Sequence, residues 1–192
     1  MRVSLLTSSI GPVRRTDARR NRERILRVAD EAFATGSEIV PLAEIARRVG
    51  LGRATVYRHF PDRAALGTAI ASQHLGTIAD LVRGDPPPYD SFRDLLELVL
   101  TEQAARRPLV RLFRELPPHC QRRYADALVA TLTPAFRRAQ EEGQLRADAE
   151  PADLLLVFEM LEAAVLTGAA RGHSEDAIRR MITVVLDGFF GA

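Results

Sequence analysis

The chain of 192 residues is long enough to bury a sizeable core. Its single cysteine, Cys120, excludes an internal disulfide framework and fits a reducing cytoplasm. No apolar run reaches the roughly 18 residues that a membrane span needs, so a membrane protein is not expected. The formal net charge is only +2, but the charge is unevenly distributed. Residues 1–63 carry 13 arginines and 7 acidic residues, whereas residues 64–192 carry 14 arginines and 18 acidic residues. This asymmetry indicates either a surface for a polyanion or a solvated arginine-rich face at the N-terminal end.

The N-terminal end is predicted to begin with a disordered basic leader, residues 1–18. Its arginines form either a minor-groove arm or a tail without a specific role: Arg14, Arg15, Arg19 and Arg20. Apolar residues then recur at spacings of three and four from Ile25 to Phe33, which predicts a first amphipathic helix that ends at Gly36.

The same apolar spacing recurs at Leu42, Ile45, Ala46 and Val49, which predicts a second helix with Pro41 in its first turn and Gly50 after its C-terminal end. Gly52 is suited to the N-cap of a third helix over Arg53–Phe60. Two short helices joined by so few residues must cross steeply, which is the helix-turn-helix arrangement.

The third helix carries more polar residues than a packed helix needs. Val56 is expected to turn inward against the second helix, at Ala46. The polar residues then face outward, toward a DNA major groove: Arg53, Thr55, Tyr57, Arg58 and His59. Two of these assignments have simpler alternatives, since Tyr57 can pack on the first helix and Thr55 can be merely solvated.

The remaining chain is predicted to form further helices, about nine in all, in an all-α fold. A fourth helix follows a cap at Asp62 and stops before the prolines of residues 84–90, and Ser91 with Asp94 begins a fifth. Pro134 predicts a kink in the seventh helix. Ser174 is expected to cap the ninth.

The last two helices have apolar residues on more than one face, which predicts a partner subunit and a four-helix bundle between two copies. The residues predicted for this dimer interface are Leu161, Ala164, Val165, Ile178, Met181, Ile182, Val185 and Phe189. The alternative is that both helices are buried within one monomer.

The segment from Arg24 to Leu66 closely resembles the DNA-binding domain of TetR-family transcriptional regulators. It contains the first helix, the helix pair, the Tyr57-x-x-Phe60 pattern and the start of the fourth helix. The resemblance implies a homodimer with a helix-turn-helix domain (residues 19–66) and a ligand-binding and dimerisation domain (residues 67–192). It also implies a repressor that a small-molecule effector releases from a palindromic DNA operator.

The resemblance further implies roles for single residues. Residues at the positions of Thr55, Tyr57 and His59 touch bases or phosphates in the family, and a basic residue at the position of Arg63 holds a phosphate. Pro41 departs from the pattern, because family members often have a phosphate-binding Thr or Ser there; Ala64 stands where an acidic residue is common. Candidate walls of the effector pocket are Leu112, Phe113, Leu116, Tyr124, Leu128 and Phe158.

Other classes of protein are less well supported by the sequence. The four histidines, His59, His74, His119 and His173, lack metal-ligand spacing, and no phosphate loop or nucleophile motif is present, so no enzyme activity, cofactor or metal is predicted. An all-α scaffold that binds protein and lacks ligand control remains the alternative function.

Overall fold

The computed structural model describes residues 12–35, 39–171 and 174–190, and this part of the chain contains nine helices and no strand. The helices are α1 (Pro12–Thr35), α2 (Leu42–Val49), α3 (Arg53–His59), α4 (Arg63–Arg83), α5 (Phe92–Ala105), α6 (Arg107–Arg114), α7 (Pro118–Glu141), α8 (Asp153–Arg171) and α9 (Glu175–Phe189). The predicted all-α fold is confirmed. None of these helices combines the length and apolarity that a membrane span requires, as far as the structure describes them.

The first helix begins earlier than the sequence predicted. Residues 12–18 belong to α1 instead of a disordered leader, and the rest of that leader, like Gly36 and His173, lies outside the described residues. Apolar spacing could not reveal this part of α1, because residues 12–18 contain too few large apolar residues to show a helical period. Its Arg, Ala and Asp residues are nevertheless compatible with a helix, and Pro12 suits a first turn.

The predicted helix ends are largely confirmed by the backbone. Gly50 has φ 70°, in the left-handed region, and its N–H donates to the carbonyls of Ala46 and Arg47. Gly52 is the N-cap of α3, and Asp62 caps α4 by accepting the N–H of Ala65 at 2.7 Å. Pro41 is the N-cap of α2, one position earlier than predicted.

The described residues form two hydrophobic cores. The N-terminal core joins α1, α2, α3 and the start of α4, and its fully buried side chains include Ile25, Phe33, Ile45, Val56 and Phe60. The C-terminal core joins α5, α7, α8 and α9. The predicted boundary after residue 66 falls inside α4 and stays a prediction, since α4 contributes Ile70 to the N-terminal core as well.

Helix α6 contributes to both cores. Leu112 is buried in the N-terminal core, whereas Val110, two residues earlier, belongs to the C-terminal core. Leu112 packs against α4 at Gly67, where a Cβ atom would lie only 2.7 Å from Leu112 Cδ2 and 2.9 Å from its Cγ. Glycine is therefore needed at position 67 for α6 to approach α4 this closely.

We predict that Gly67→Ala destabilises the protein, because the added methyl group displaces Leu112 from a packed core. The penalty for overpacking is about 1–3 kcal/mol, offset in part by the better helix propensity of alanine. Gly76→Ala on the same helix is the matched control, since a Cβ there has nothing within 4 Å. It should be neutral or stabilising by up to about 1 kcal/mol. Urea denaturation measures both, and equal effects would contradict the role of Gly67.

Candidate DNA-binding surface and ligand cavity

Helix α3 is anchored by one residue and presents polar residues on its other sides. Val56 is completely buried and packs with Ala46 of α2 in the N-terminal core. Arg53 and Arg58 are exposed, and Tyr57 keeps 44% of its surface accessible. Such an arrangement leaves the polar face of α3 accessible to a nucleic acid.

Thr55 and His59 are only half-exposed, at the edges of this face. Arg58 Nη2 lies 3.4 Å from Thr55 Oγ1, a long hydrogen bond across one turn of the helix. Burial lowers the pKa of His59, and the nearby charges of Arg22 and Arg58 lower it further. The imidazole is therefore neutral at physiological pH in the free protein.

Residues of α1 and α4 extend this basic surface. The guanidinium of Arg22 stacks over the ring of Phe60, 4.6 Å from its centroid, so α1 places a cation beside the end of α3. Arg63, at the start of α4, is exposed and lies 3.8 Å from the Glu115 carboxylate, just beyond the end of α6. A pair this exposed is weak and leaves Arg63 able to exchange Glu115 for a phosphate.

Arg24 supports the turn between α2 and α3, a role that sequence reasoning missed. Its Nη2 donates to the carbonyl of Val49 at 2.9 Å, and Val49 is the last residue of α2. The final carbonyls of a helix have no partner within the helix, so this bond satisfies one of them and ties α1 to the turn. The two residues lie 25 positions apart, and no local sequence pattern predicts their contact.

A cavity of about 370 Å³ lies among α1, α4, α5, α6, α7 and α8. Three residues of the predicted pocket, Phe113, Tyr124 and Leu128, line it. The other three, Leu112, Leu116 and Phe158, do not. Leu112 turns into the N-terminal core and Phe158 into the C-terminal core, while Leu116 is buried near the end of α6.

Charged residues that sequence reasoning did not select form one wall of the cavity. Asp30 of α1 lies 2.8 Å from His74 Nε2 of α4 and 3.5 Å from Arg106 Nε, which follows α5. Arg106 also contacts the Glu102 carboxylate. Burial raises the pKa of Asp30, but the hydrogen bonds and charges of His74 and Arg106 outweigh it, and the pKa is lowered. These contacts join α1, α4 and α5 around an ionised carboxylate.

The predicted dimer interface stays a prediction, and half of its eight residues are buried inside the monomer. Leu161, Val165, Ile178 and Ile182 are buried within the C-terminal core. The other four, Ala164, Met181, Val185 and Phe189, are partly buried and pack against it. Both apolar faces of α9 looked suitable for an interface, and the face through Ile178 and Ile182 is the one that turns inward.

The exposed apolar residues of α8 and α9 form a different set, here called the α8–α9 patch. Leu156 and Met160 of α8 and Val184 of α9 expose 57%, 48% and 64% of their surface. Leu156, Met160 and Gly188 border one groove, so the two helices share this surface. Single exposed apolar residues are ordinary, whereas exposed apolar residues grouped on two helices are a candidate interaction surface.

His119 is exposed and Cys120 is half-buried at the start of α7. Within the described residues, no group of three or more histidine, cysteine and acidic side chains is placed to hold a metal ion.

Comparison with known proteins links this geometry to regulators of transcription. The family model described as bacterial regulatory proteins of the tetR family matches residues 25–70. An HTH-type transcriptional regulator of Staphylococcus aureus strain USA300 is 42% identical over 87 residues, which are 45% of this chain and 47% of the relative. One from Mycobacterium tuberculosis, strain H37Rv, is 38% identical over 78 residues. The alignments thus span less than half of these curated relatives.

Solved structures extend the similarity to the whole chain. The TetR transcription regulatory protein from Mycobacterium vanbaalenii is 31% identical, with a TM-score of 0.61, and the match covers 92% of this chain and 98% of that one. Escherichia coli NemR in its reduced form matches with a TM-score of 0.61 over 90% of this chain. At 16% identity, that likeness concerns the fold alone.

We predict that Arg24→Met weakens the N-terminal unit, because the Val49 carbonyl loses its donor and α1 is no longer tied to the turn. The expected loss in the free energy of unfolding is about 1 kcal/mol. Arg27→Met, at an exposed position on the same helix, removes the same charge and is the control. Urea denaturation should separate the two, and equal losses would show that the Arg24 bond contributes nothing specific.

Proposed function

Because this chain belongs to the TetR family of bacterial regulatory proteins, and is thus a DNA-binding transcriptional regulator, we propose that it is a homodimeric repressor. In this proposal, a small-molecule effector releases it from a palindromic operator in the cytoplasm. The observation that carries the proposal is α3, whose only fully buried residue is Val56 and whose polar residues face outward.

We assign base recognition to the middle of α3. Thr55 and Tyr57 present a hydroxyl group each, and Tyr57 is the more exposed of the two. His59 is neutral and offers one donor and one acceptor nitrogen. Side chains of this kind distinguish base edges in the major groove, although they also bind phosphates.

We assign phosphate binding to the arginines around α3. Arg53 lies at the beginning of the helix and Arg58 near its end, and both are exposed. Arg63 lies at the beginning of α4, where a phosphate would compete with Glu115 for its guanidinium group. Arginine suits this role because its planar group donates two parallel hydrogen bonds to phosphate oxygens. These contacts fix the position of α3 without selecting a sequence.

The α8–α9 patch is the proposed dimer surface. Two copies that pair this patch about a twofold axis form a four-helix bundle and bury the exposed apolar residues of both. The two α3 helices must then lie about 34–36 Å apart to enter successive major grooves. The half-exposed residues of the predicted interface, such as Met181 and Val185, lie on α9 beside Val184 and belong at the edge of this contact.

The cavity is the proposed effector site, and α4 and α6 connect it with α3. Gly67 and Ala71 of α4 and Phe113 of α6 line the cavity, while Leu112 of α6 fills the N-terminal core. An effector that shifts α6 must therefore move Leu112 against α4, on which the separation of the α3 helices depends. To change the ratio of the DNA-binding state to the released state from 99:1 to 1:99, the effector must bind the released state about 10⁴-fold more tightly.

We predict that arginine and threonine substitutions on α3 weaken operator binding in different ways. Arg58→Ala should weaken binding to all duplexes alike and lower the slope of log affinity against log salt by about one. Thr55→Ala should instead relax discrimination at particular base pairs, by about 1–3 kcal/mol. Fluorescence anisotropy at several salt concentrations, with DNA flanking the gene and single-base variants of it, measures both.

Arg122→Ala is the control for this experiment, since Arg122 is exposed on α7, far along the chain from α3. If Arg58→Ala and Thr55→Ala behave like this control, α3 does not read DNA. In that case a protein-binding scaffold becomes the better description of the molecule.

We predict that Val184→Glu produces a monomer, because it places a carboxylate from each copy in the apolar dimer contact. The expected cost of about 3 kcal/mol raises the dissociation constant about a hundredfold. Ala130→Glu, at an exposed position on α7, is the control and should leave the dimer intact. Sedimentation velocity distinguishes the two species, and a Val184→Glu dimer would rule out the α8–α9 patch as the interface.

A further inference from the structure

The charged groups of the cavity wall are mostly acidic. Three carboxylates line it, on three different helices: Asp30 of α1, Glu102 of α5 and Glu162 of α8. Among the described residues of the wall, the basic groups are Arg106 and His74. The rest of the wall is largely apolar or aromatic, with Ile78, Leu81, Val99, Leu109 and Phe113 among its members.

Both basic groups are already engaged with carboxylates. Arg106 contacts Asp30 and Glu102, and His74 lies 2.8 Å from Asp30. An anionic ligand would have to displace carboxylates from Arg106 and His74, and these carboxylates would then repel it. The charge of the cavity therefore opposes an anion and favours a neutral or positively charged ligand.

Glu162 is the carboxylate of this wall with the least satisfied oxygen. Its side chain is only 13% exposed, and Oε1 is buried without a hydrogen-bond partner. The nearest cation is the exposed Arg114, whose Nε lies 3.5 Å from Oε1. Burial raises the pKa of Glu162. The positive charge of Arg114 lowers it and the negative charge of Glu159 raises it, so that the pKa is raised overall. A second cation with an N–H donor would stabilise the ionised form.

The aromatic side of the cavity suits the same ligand. Phe113 precedes Arg114 on α6, and its ring packs edge-to-face against Tyr124, with the two centroids 5.0 Å apart. Burial raises the pKa of Tyr124 to about 12, so its phenol is neutral and does not repel a nearby carboxylate. Aromatic faces attract ammonium groups and also pack against apolar ligand bodies.

We infer that the effector is an amphipathic organic amine, whose ammonium group pairs with the Glu162 carboxylate and whose apolar body packs against the aliphatic and aromatic wall. This inference rests on the proposed role of the cavity as the effector site. The cavity of about 370 Å³ lies within the size range of small-molecule sites and accepts a body the size of a phenylalkyl chain.

Three matched probes test the inference on the full-length protein: phenylbutylamine, phenylbutanol and phenylbutyrate. They share one apolar body and differ in carrying a cationic, a neutral or an anionic head group at neutral pH. In isothermal titration calorimetry, the amine should bind about tenfold more tightly than the alcohol, as a charge-assisted hydrogen bond provides. The carboxylate should bind least. This comparison needs no variant, so it stands even if a substituted protein folds poorly.

Glu162→Gln should remove the preference for the amine while changing the affinity for the alcohol by no more than about twofold. Glu159→Gln is the matched control, because Glu159 is exposed on the same helix and does not line the cavity. It should retain the preference. If Glu162→Gln weakens the amine and the alcohol equally, or if both variants behave alike, the assignment of Glu162 is overturned.

The outcomes separate this inference from the proposed function. Equal binding of all three probes, tightest binding of the carboxylate, or no binding at all overturns the inference, and an operator-binding assay on the same sample then shows whether the regulator role stands. If the amine binds selectively without weakening operator binding, the ligand class is supported and effector release is refuted. If the amine does release the operator, linkage requires that saturating operator weaken amine binding by the same factor by which the amine weakens operator binding.

Discussion

The contact between Leu112 and Gly67 determines how the two parts of the molecule are joined. It holds α6 against α4 at a distance that a larger residue at position 67 would prevent. Because Leu112 is buried among residues of α1, α2 and α3, α6 belongs to the N-terminal core as well as to the C-terminal core. Packed cores resist continuous deformation, so a displacement of α6 changes the position of α4 instead of being absorbed.

The cavity adjoins this contact, because Gly67 is part of its wall. Its wall contains Asp30 from α1 and residues of α4, and these elements also support α3. In the proposed function, a ligand there touches the DNA-binding unit directly at Asp30 and indirectly through α4 and α6. The coupling that we propose between ligand binding and DNA binding thus uses helices common to both, which is a simpler physical basis than a long chain of intermediates.

The N-terminal unit could be predicted from sequence because its signals are local. Gly50 and Gly52 mark the turn, and the spacing from Leu42 to Val49 identifies the buried face of α2. The Arg24–Val49 bond could not be predicted, since it joins distant positions. In the second unit, apolar spacing identified helices but could not say which face turns inward. Ile178, which was predicted for the interface, is buried in the core, whereas Leu156, which was not selected, is exposed.

The cavity was predicted only in part for a related reason. Phe113, Tyr124 and Leu128 were chosen as large apolar residues, but Asp30, His74, Arg106 and Glu162 come from separate helices and meet only in the folded chain. Sequence periodicity carries no information about contacts between side chains of different helices.

The length of α1 has a mechanical consequence. Asp30 lies 18 positions after Pro12, a distance of about 27 Å along a continuous helix. The helix thus reaches from the cavity wall at Asp30 to its N-terminal turn at Pro12. For this length of helix, a tilt of roughly 5° about Asp30 moves the N-terminal turn by about 2 Å. That displacement is comparable with the tolerance of a hydrogen bond, so a small rotation of α1 at the cavity is magnified at its N-terminal turn.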